Sequence, residues 1–484
     1  MQEGLPPAEA WGAPHKIFLL FYSARRRRKK SKKKGITLMR ASFIHCADTH
    51  LGYEQYGVRE RFNDFTWAFW ELVDEAIKRR VDFMVIAGDL FNKRAIDALT
   101  LIHAIEGLKK LKDANIPVIA IEGNHDRSYY REGTSWLQFL CYQGYLVLLQ
   151  PRMVDGMPQL EPWDQQNMLG AYVDLLDGNL RVYGIHWLGS STARALEGMS
   201  HSLQDARADE DASGVAYRLL MMHTGIDGMV ARIQGLPTMA QFQALSGQVD
   251  YLALGHVHKP YEFDGWIYNP GSTETCSAEE VQWEDRGYYY VEIDTDEPGR
   301  IINLEKKERI HHAERLKSTR RPFVRHEIRV DGLNEPEDIY LRLESYCQDK
   351  GPAYAQTEKP PVVQVTLSGT LAFDAGSLDI SRMEEMLRQY FNPLHARIDN
   401  HTSDQDYEPD EGDLDGRDRS LWHELERHIF EELLARDNRF LTAKEQWSTV
   451  LADIKAQALR KEEPAQIAQF LRDKRTTLLT PEKS

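Results

Sequence analysis

Five short groups of polar residues follow apolar runs in the first 260 residues of this chain, and their side chains could hold metal ions. They are Asp48-Thr49-His50, Gly88-Asp89, Gly123-Asn124-His125-Asp126, His223 and Gly255-His256-Val257-His258. Carboxylate, amide and imidazole ligands suit Mn²⁺, Fe²⁺ or Zn²⁺, whereas Ca²⁺ prefers a set made only of oxygens. A structural zinc site is not expected, because these groups contain no cysteine. Their types and order therefore predict a centre for two divalent ions.

The chemistry expected of such a centre is hydrolysis of a phosphate ester. Two ions about 3.5–4 Å apart lower the pKa of a shared water and bind the nonbridging oxygens of a phosphate. Asp89 can bridge the ions, since a carboxylate offers two oxygens. We expect His125 to protonate the leaving group, while Asp126 orients the imidazole and favours its charged form. The predicted metal ligands are Asp48, His50, Asp89, Asn124, His223, His256 and His258.

The elements that must position these residues alternate between strand-like and helix-like stretches over residues 40–295. The runs ASFIHCAD, DFMVIAGD and IPVIAIEGN are short and apolar, which is typical of strands buried on both faces. The stretch RFNDFTWAFWELVDEAIKRR repeats apolar residues at three-to-four spacing and predicts an amphipathic helix. Residues 39–310 are therefore predicted to form a four-layer α/β/β/α sandwich, with two sheets face to face and helices outside.

The remaining chain predicts a small α+β domain, an acidic linker and a pair of helices. Residues 320–398 mix alternating strands with two helix-like stretches, and residues 401–416 hold seven acids and almost no apolar side chain. Residues 417–476 are predicted to be helical, with an apolar stripe that so short a segment cannot bury alone. The segment either folds back on the main body or docks onto the helices of a partner.

Composition limits the class of protein. The chain has 484 residues, no apolar run long enough to span a membrane, and four cysteines that are far apart. Such cysteines are typical of a reduced, cytoplasmic protein. The basic run RRRRKKSKKK follows the apolar piece KIFLLFY, an order opposite to that of a secretory signal. We favour reading residues 1–38 as a disordered tail, or Met39 as the natural first residue, over an arm that contacts nucleic acid.

The charge balance is unusual for a protein that binds nucleic acid. The net charge is −15, and residues 1–38 contribute ten basic and two acidic residues, so the rest of the chain carries −23. Affinity for DNA usually depends on basic residues that neutralise phosphates. Bound metal ions would offset part of the negative charge at the centre. The negative net charge also suggests that a partner supplies part of the contacts to DNA.

Several segments resemble the calcineurin-like metallophosphoesterase superfamily. They are FIHCADTHLGYEQYG, VDFMVIAGDLF, IPVIAIEGNHDR, LLMMHTGI, YLALGHVHK and YNPGSTE. More narrowly, residues 41–290 resemble the nuclease subunit of the DNA double-strand-break repair complex, of the Mre-eleven or SbcD type. The small α+β domain is similar to the capping domain of that family in placement only. The helix pair resembles the segment that binds an ATPase of the Rad-fifty or SbcC type.

This resemblance implies two Mn²⁺ ions per subunit, with Mg²⁺, Fe²⁺ or Zn²⁺ as alternatives. Asp48, His50, Asp89 and His258 would hold one ion, and Asp89, Asn124, His223 and His256 the other. The implied activities are a 3′-to-5′ exonuclease on duplex DNA and an endonuclease on single strands or hairpins, in a nucleoid-associated complex with an SMC-like ATPase. The family forms homodimers through helices of the nuclease domain, here near residues 97–111 and 134–142.

The same resemblance raises three further points. Tyr53, Arg94 and Arg127 lie beside the motifs and are candidate contacts to the DNA backbone. Asn92 stands where many family members carry a histidine, which puts exonuclease processing in doubt. Two alternatives stay open: a phosphodiesterase or phosphatase for small molecules or proteins, and a non-catalytic scaffold for the ATPase.

Overall fold

The computed structural model describes residues 39–128, 133–230, 235–295, 310–404, 444–459 and 464–479, together with positions 32–33, 36–37, 427, 430–431 and 434. The chain divides into two compact units, one through Ser403 and one from Asp404. Most of the predicted basic extension, most of the acidic linker and most of the first C-terminal helix fall outside the described residues. The predicted domain limits at 310, 320 and 398 stay predictions.

The first unit begins with an alternating run of strands and helices, as the sequence predicts. In chain order they are β1 (Arg40–Cys46), α1 (Arg59–Arg79), β2 (Phe83–Ile86), α2 (Ala98–Asp113), β3 (Val118–Ala120), α3 (Trp136–Tyr142), β4 (Val147–Leu148), β5 (Tyr172–Leu175), β6 (Leu180–Ile185), α4 (Thr192–Ser213), β7 (Tyr217–His223), α5 (Met239–Gln243), β8 (Tyr251–Gly255), β9 (Tyr261–Phe263), β10 (Ile267–Asn269), β11 (Gly287–Asp294) and β12 (His311–Lys317).

These strands form two mixed sheets of six strands each. The first has the order β12-β11-β1-β2-β3-β4, in which β1 to β4 are parallel and β11 is antiparallel to both neighbours. The second has the order β9-β10-β8-β7-β6-β5, with β6, β7, β8 and β10 parallel and antiparallel strands at both edges. Because parallel strands end at the same edge of a sheet, the residues that follow them are brought together.

The two sheets pack face to face, with helices on the outer faces. Successive residues of a strand point to opposite faces of the sheet. Val85 and Leu219 belong to the apolar core between the sheets. Their neighbours Ile86 and Leu220 belong to two other cores, which lie under α1–α3 and under α4–α5 respectively. The layers are therefore α/β/β/α, and the predicted α/β fold is confirmed.

A small α+β part completes the first unit. Its elements are β13 (Phe323–Arg329), α6 (Pro336–Ala355), β14 (Val362–Leu371), α7 (Ile380–Phe391) and β15 (His395–Asp404). The strands form a sheet in the order β13-β14-β15, and β13 is parallel to β14. This part has an apolar core of its own, in which Leu343 of α6 and Leu387 of α7 are fully buried. Whether it acts as a capping domain stays a prediction.

A buried group of charged residues joins the α+β part to helix α1. The carboxylate of Asp64 accepts hydrogen bonds from Arg61 at 2.7 Å and from Arg321 at 2.6 and 3.0 Å. Arg61 also donates to the carboxylate of Glu274 at 3.2 Å, and Arg321 donates to the carbonyl of Pro360 at 2.8 Å. All four charged side chains are buried. Each charge is therefore paired, as burial requires.

The second unit contains two described helices, α8 (Lys444–Leu459) and α9 (Pro464–Leu479), which pack against each other. On α8, Trp447 and Val450 are buried. Helix α8 lies within the stretch TAKEQWSTVLADIKAQALRK, the second helix of the predicted pair. Helix α9 follows this stretch and was not predicted as a separate element. It begins at Pro464, a residue favoured in the first turn of a helix. None of the described helices is long and apolar enough to cross a bilayer.

The buried charges around Asp64 predict a large effect of one substitution. Asp64→Ala removes the buried carboxylate that the guanidinium groups of Arg61 and Arg321 share, so we expect the free energy of unfolding to fall by about 3–5 kcal/mol, measured by chemical denaturation. Asp74→Ala is the matched control on the same helix, because Asp74 pairs with Lys110 at the surface. We expect the control to change stability by less than about 1 kcal/mol. Equal losses in both variants would contradict this account.

Candidate metal centre

The seven predicted metal ligands meet where the carboxyl ends of the parallel strands of both sheets come together. Asp48 and His50 follow β1, Asp89 follows β2 and Asn124 follows β3. From the second sheet, His223 ends β7, and His256 and His258 follow β8. Distances of 3.0–3.3 Å between side-chain atoms link residues of one sheet to residues of the other. The structure thus brings together side chains that are separated by more than 200 residues in sequence.

The loops that carry these ligands adopt an uncommon backbone conformation. Asp48, His50, Asp89 and His256 have φ angles of 52°, 47°, 52° and 84°. Non-glycine residues rarely occupy this left-handed region, and such strain concentrates at functional sites. Backbone hydrogen bonds hold the loops in place, since the amide of Asp48 donates to the carbonyl of Gly88 and the amide of His50 donates to that of Asp89, both at 3.1 Å.

Asp89 is buried at the middle of the centre. One oxygen of its carboxylate lies 3.3 Å from Nε2 of His223, and the other accepts the backbone amide of His125 at 2.9 Å. Burial opposes a charged imidazole at His223, but the carboxylates of Asp89 and Asp48 outweigh it and raise the pKa of His223 to about 9. Burial likewise opposes ionisation of Asp89, yet the neighbouring imidazoles hold its pKa well below the usual range. The site therefore favours a positive charge next to Asp89.

Asn124 supplies a neutral oxygen between two imidazoles. Its Oδ1 lies 3.2 Å from Nε2 of His223 and 3.0 Å from Nδ1 of His256. The other ring nitrogen of His223, Nδ1, lies 2.7 Å from the carbonyl of Ala87 and donates to it, which leaves Nε2 to face the centre. Burial lowers the pKa of His256 to about 3, so this ring is neutral at ordinary pH. One oxygen and two nitrogens therefore converge on the same point.

His50 and His258 form the other side of the centre. Their Nε2 atoms lie 3.0 Å apart, and burial lowers the pKa of His50 to about 3. On the far side of its ring, His258 Nδ1 lies 2.6 Å from the carboxylate of Glu280. Glu280 in turn pairs with the buried Arg286. A histidine that donates to a carboxylate in this way presents a fixed, more basic nitrogen to a metal ion.

Sequence reasoning missed Glu280, although it is the partner of a predicted ligand. It lies in a short 3₁₀ helix, Ala278–Gln282, that follows the strand β10. Glu279 is its direct neighbour, and nothing in the sequence distinguishes the two acids. Only the folded chain shows that Glu280, and not Glu279, is the hydrogen-bond partner of His258.

The expected pairing of Asp126 with the imidazole of His125 is wrong. The carboxylate of Asp126 is buried and accepts backbone amides from Leu90, Phe91 and Gly123 at 3.0–3.3 Å. The imidazole of His125 is oriented by a different group, since its Nδ1 donates to the backbone carbonyl of Asn92 at 2.5 Å. Burial, together with the negative charge of Asp89, raises the pKa of Asp126 to about 7. Asp126 therefore shapes the loop that carries Asn124 and does not steer the ring.

Cys276 is a second residue that sequence reasoning missed. Its sulfur and one ring nitrogen each of His50 and His258 all lie within 4.8 Å of one another. The sequence shows no metal-binding spacing of cysteines, so Cys276 carried no signal. Burial raises the pKa of this thiol to about 11. The four cysteines, all within the described residues, form no disulfide, and the other three are buried.

The three candidate contacts to DNA lie on loops near the centre, in different surroundings. Arg94 donates to the backbone carbonyl of Asn124 at 3.4 Å. Arg127 is exposed, and its guanidinium lies 5.9 Å from the ring centre of Trp187. Tyr53 is half-buried, and its ring packs against Phe65 at 5.2 Å. Arg94 contacts the predicted ligand residue Asn124, and the backbone amide of Tyr53 donates to the carbonyl of His50 at 3.1 Å. The DNA contacts stay predictions.

The arrangement of these donors fits two divalent cations. Two groups of three donors, His50-Asp89-His125 and Asp48-Asp89-His223, each lie within 4.8 Å and share Asp89. The facing nitrogen and oxygen atoms lie 3.0–3.3 Å apart, and the same lone pairs that accept hydrogen bonds can bind a metal ion. The neutral imidazoles, the amide oxygen and the carboxylates suit Mn²⁺, Fe²⁺ or Zn²⁺.

Comparison with known proteins agrees with this geometry. Residues 41–260 match the model of the calcineurin-like phosphoesterase family. A protein of Methanococcus maripaludis named DNA double-strand break repair protein Mre11 is 48% identical over 263 residues, which cover 52% of this chain and 63% of that protein. The Mre11 protein of Thermoplasma acidophilum is 28% identical over 351 residues, which cover 71% of this chain and 81% of that protein.

The match to some relatives is shorter. The Mre11 protein of Archaeoglobus fulgidus is 29% identical over 255 residues, which cover 49% of this chain and 51% of that protein. This chain thus spans about half the length of that relative. The predicted resemblance is confirmed at the level of the domain and its relatives: residues 41–260 are a calcineurin-like phosphoesterase domain, in a chain that is similar to the Mre11 proteins of archaea.

Proposed function

We propose that this protein is a manganese-dependent nuclease that hydrolyses phosphodiester bonds of DNA during double-strand break repair. The observation that carries the proposal is the buried carboxylate of Asp89, which belongs to two donor groups at once in a phosphoesterase domain. The relatives named as Mre11 support DNA as the substrate. A DNA substrate would place the protein at the nucleoid.

The proposed ligand sets follow the two sides of the centre. One ion would be held by Asp48, His50, Asp89 and His258, and the other by Asp89, Asn124, His223 and His256. Two bound ions supply an activated water and a clamp on the phosphate oxygens. The pairing of His258 with Glu280 supports the first set, because it fixes which nitrogen faces the ion. The carbonyl of Ala87 does the same for His223 in the second set.

His125 is proposed to deliver the proton to the leaving oxygen. Its Nδ1 is committed to the carbonyl of Asn92, so its Nε2 is the nitrogen left for the reacting group. The half-buried ring lies edge-on to His50, with ring centres 5.1 Å apart, which sets it beside the predicted metal position. The departure from the family pattern at Asn92 concerns its side chain, whereas the contact to His125 uses its backbone.

The proposal predicts the substrate. Purified protein with Mn²⁺ should cleave labelled duplex DNA from its 3′ ends and open hairpins, and a chelator should abolish both activities, because the ions would activate the attacking water. The products are resolved on denaturing gels, and a generic phosphodiester is assayed in parallel. Cleavage of the generic ester with DNA left intact would favour a small-molecule phosphodiesterase. Inactivity toward both, with ATPase binding intact, would favour a scaffold.

The role of His125 predicts a separation between metal binding and catalysis. His125→Gln should lower kcat about 10²–10⁴-fold while calorimetry still finds two Mn²⁺ per chain, because a lost proton donor does not remove a ligand. His50→Gln is the matched control, since a lost ligand should reduce metal binding as well. His125 also lies within 4.8 Å of donors from His50 and Asp89. Loss of one Mn²⁺ in His125→Gln would therefore reassign it as a ligand.

The partners are also part of the proposal. Leu99 and Ile102 on α2 are large apolar side chains with 37% and 49% of their surface exposed, which supports the helix near residues 97–111 as part of the proposed homodimer contact with the helix near 134–142. On α9, Leu471 is 40% exposed, which supports the second unit as a docking segment for an SMC-like ATPase.

Deletion of residues 417–484 tests the docking proposal. The truncated protein should keep its manganese-dependent nuclease activity, because the ligands all lie before residue 260. It should lose co-purification with the ATPase of the Rad-fifty or SbcC type when the two are co-expressed. Co-purification at the level of the full chain would contradict the assignment, and the retained activity serves as the control for folding.

A further inference from the structure

A thiol lies at the edge of the centre, beside two of the proposed manganese ligands. The sulfur of Cys276 and a ring nitrogen each of His50 and His258 lie within 4.8 Å of one another. The three residues come from three separate segments, after β1, after β8 and after β10. Their convergence is therefore a product of the fold and not of a local sequence motif.

The thiol is held in position by its surroundings. The backbone amide of Cys276 donates to Glu280 at 2.9 Å, and its carbonyl accepts from the side chain of Gln55 at 2.9 Å. The sulfur itself lies 3.7 Å from the carbonyl of Glu274. The preceding residue, Thr275, is also fixed, because its hydroxyl accepts a hydrogen bond from the guanidinium of the buried Arg286. A ligand fixed in this way loses little conformational freedom when it binds an ion.

The chemistry of this set differs from that of the rest of the centre. A thiolate with two imidazoles is a soft, nitrogen and sulfur set of the kind that holds Zn²⁺ in four-coordinate sites. Carboxylate and amide oxygens, in contrast, suit Mn²⁺. Because His50 and His258 belong to both sets, an ion bound with Cys276 would withdraw two ligands from the first manganese position.

We propose that His50, His258 and Cys276 form a zinc site that competes with manganese and holds the protein inactive. The zinc–sulfur bond forms as the thiol proton leaves to solvent, so affinity for zinc rises with pH. Asp48, whose carboxylate lies 3.9 Å from Nε2 of His258, or a water can fill the fourth position. The competition with manganese rests on the proposed function, whereas zinc binding by these three residues does not.

Cobalt substitution tests the site without any assay of activity. The full-length protein is titrated with Co²⁺, which reports a bound thiolate through a charge-transfer absorption in the near ultraviolet. We expect one equivalent of this absorption in the wild type, and its loss in Cys276→Ser. Cys347→Ser is the matched control and should keep the absorption, because Cys347 lies in the core of the α+β part. No absorption in the wild type, or full absorption in Cys276→Ser, would overturn the proposal.

Affinities separate a ligand from a residue that only supports the loop. Cys276→Ser should weaken Zn²⁺ binding at least about tenfold, measured by competition with a chelator, while Mn²⁺ binding should change less than about threefold. Equal weakening of both would mean that Cys276 acts on the loop, which would overturn its role as a ligand. If zinc binds through Cys276 but the protein hydrolyses no phosphodiester, the zinc site is supported and the proposed nuclease function is contradicted.

Discussion

The centre depends on two carboxylates, Asp48 and Asp89, that are buried within 4.8 Å of each other. Placing such groups away from water is costly unless cations compensate them. Asp89 and Asp48 raise the pKa of His223 against the effect of burial, which favours a charged imidazole beside them. The fold thus concentrates negative charge at one edge of the two sheets, and divalent cations would compensate this charge.

Two levels of support keep this arrangement rigid. The first is the strained backbone at the ligands, tied by hydrogen bonds between the loops after β1 and β2. The second is the segment between β10 and β11. There the carboxylate of Glu280 accepts a hydrogen bond from His258 and forms an ion pair with Arg286. The same segment supplies Glu274, which pairs with Arg61 of α1. The buried ion pairs that attach the α+β part therefore contact the segment that orients a predicted ligand.

The ligands could be predicted from the sequence because they lie at or just after the ends of apolar strands. Asp48, Asp89 and His256 each follow an apolar run, and parallel strands bring such positions to one edge regardless of loop details. Polar residues that do not follow a strand of the sheet had no comparable sequence pattern. Glu280 and Cys276 lie on an irregular segment whose path depends on packing, and the carbonyl of Asn92 is a backbone group whose direction no residue type encodes. The adjacency of His125 and Asp126 was misleading, since neighbours in a turn point their side chains in different directions.

The most direct test of the twin centre is a crystal of this protein soaked with manganese and measured at an energy where manganese scatters anomalously. We expect two peaks per chain, about 3.5–4 Å apart, with the carboxylate of Asp89 within bonding distance of both ions. A single peak, or two peaks that both lie outside bonding distance of Asp89, would contradict it.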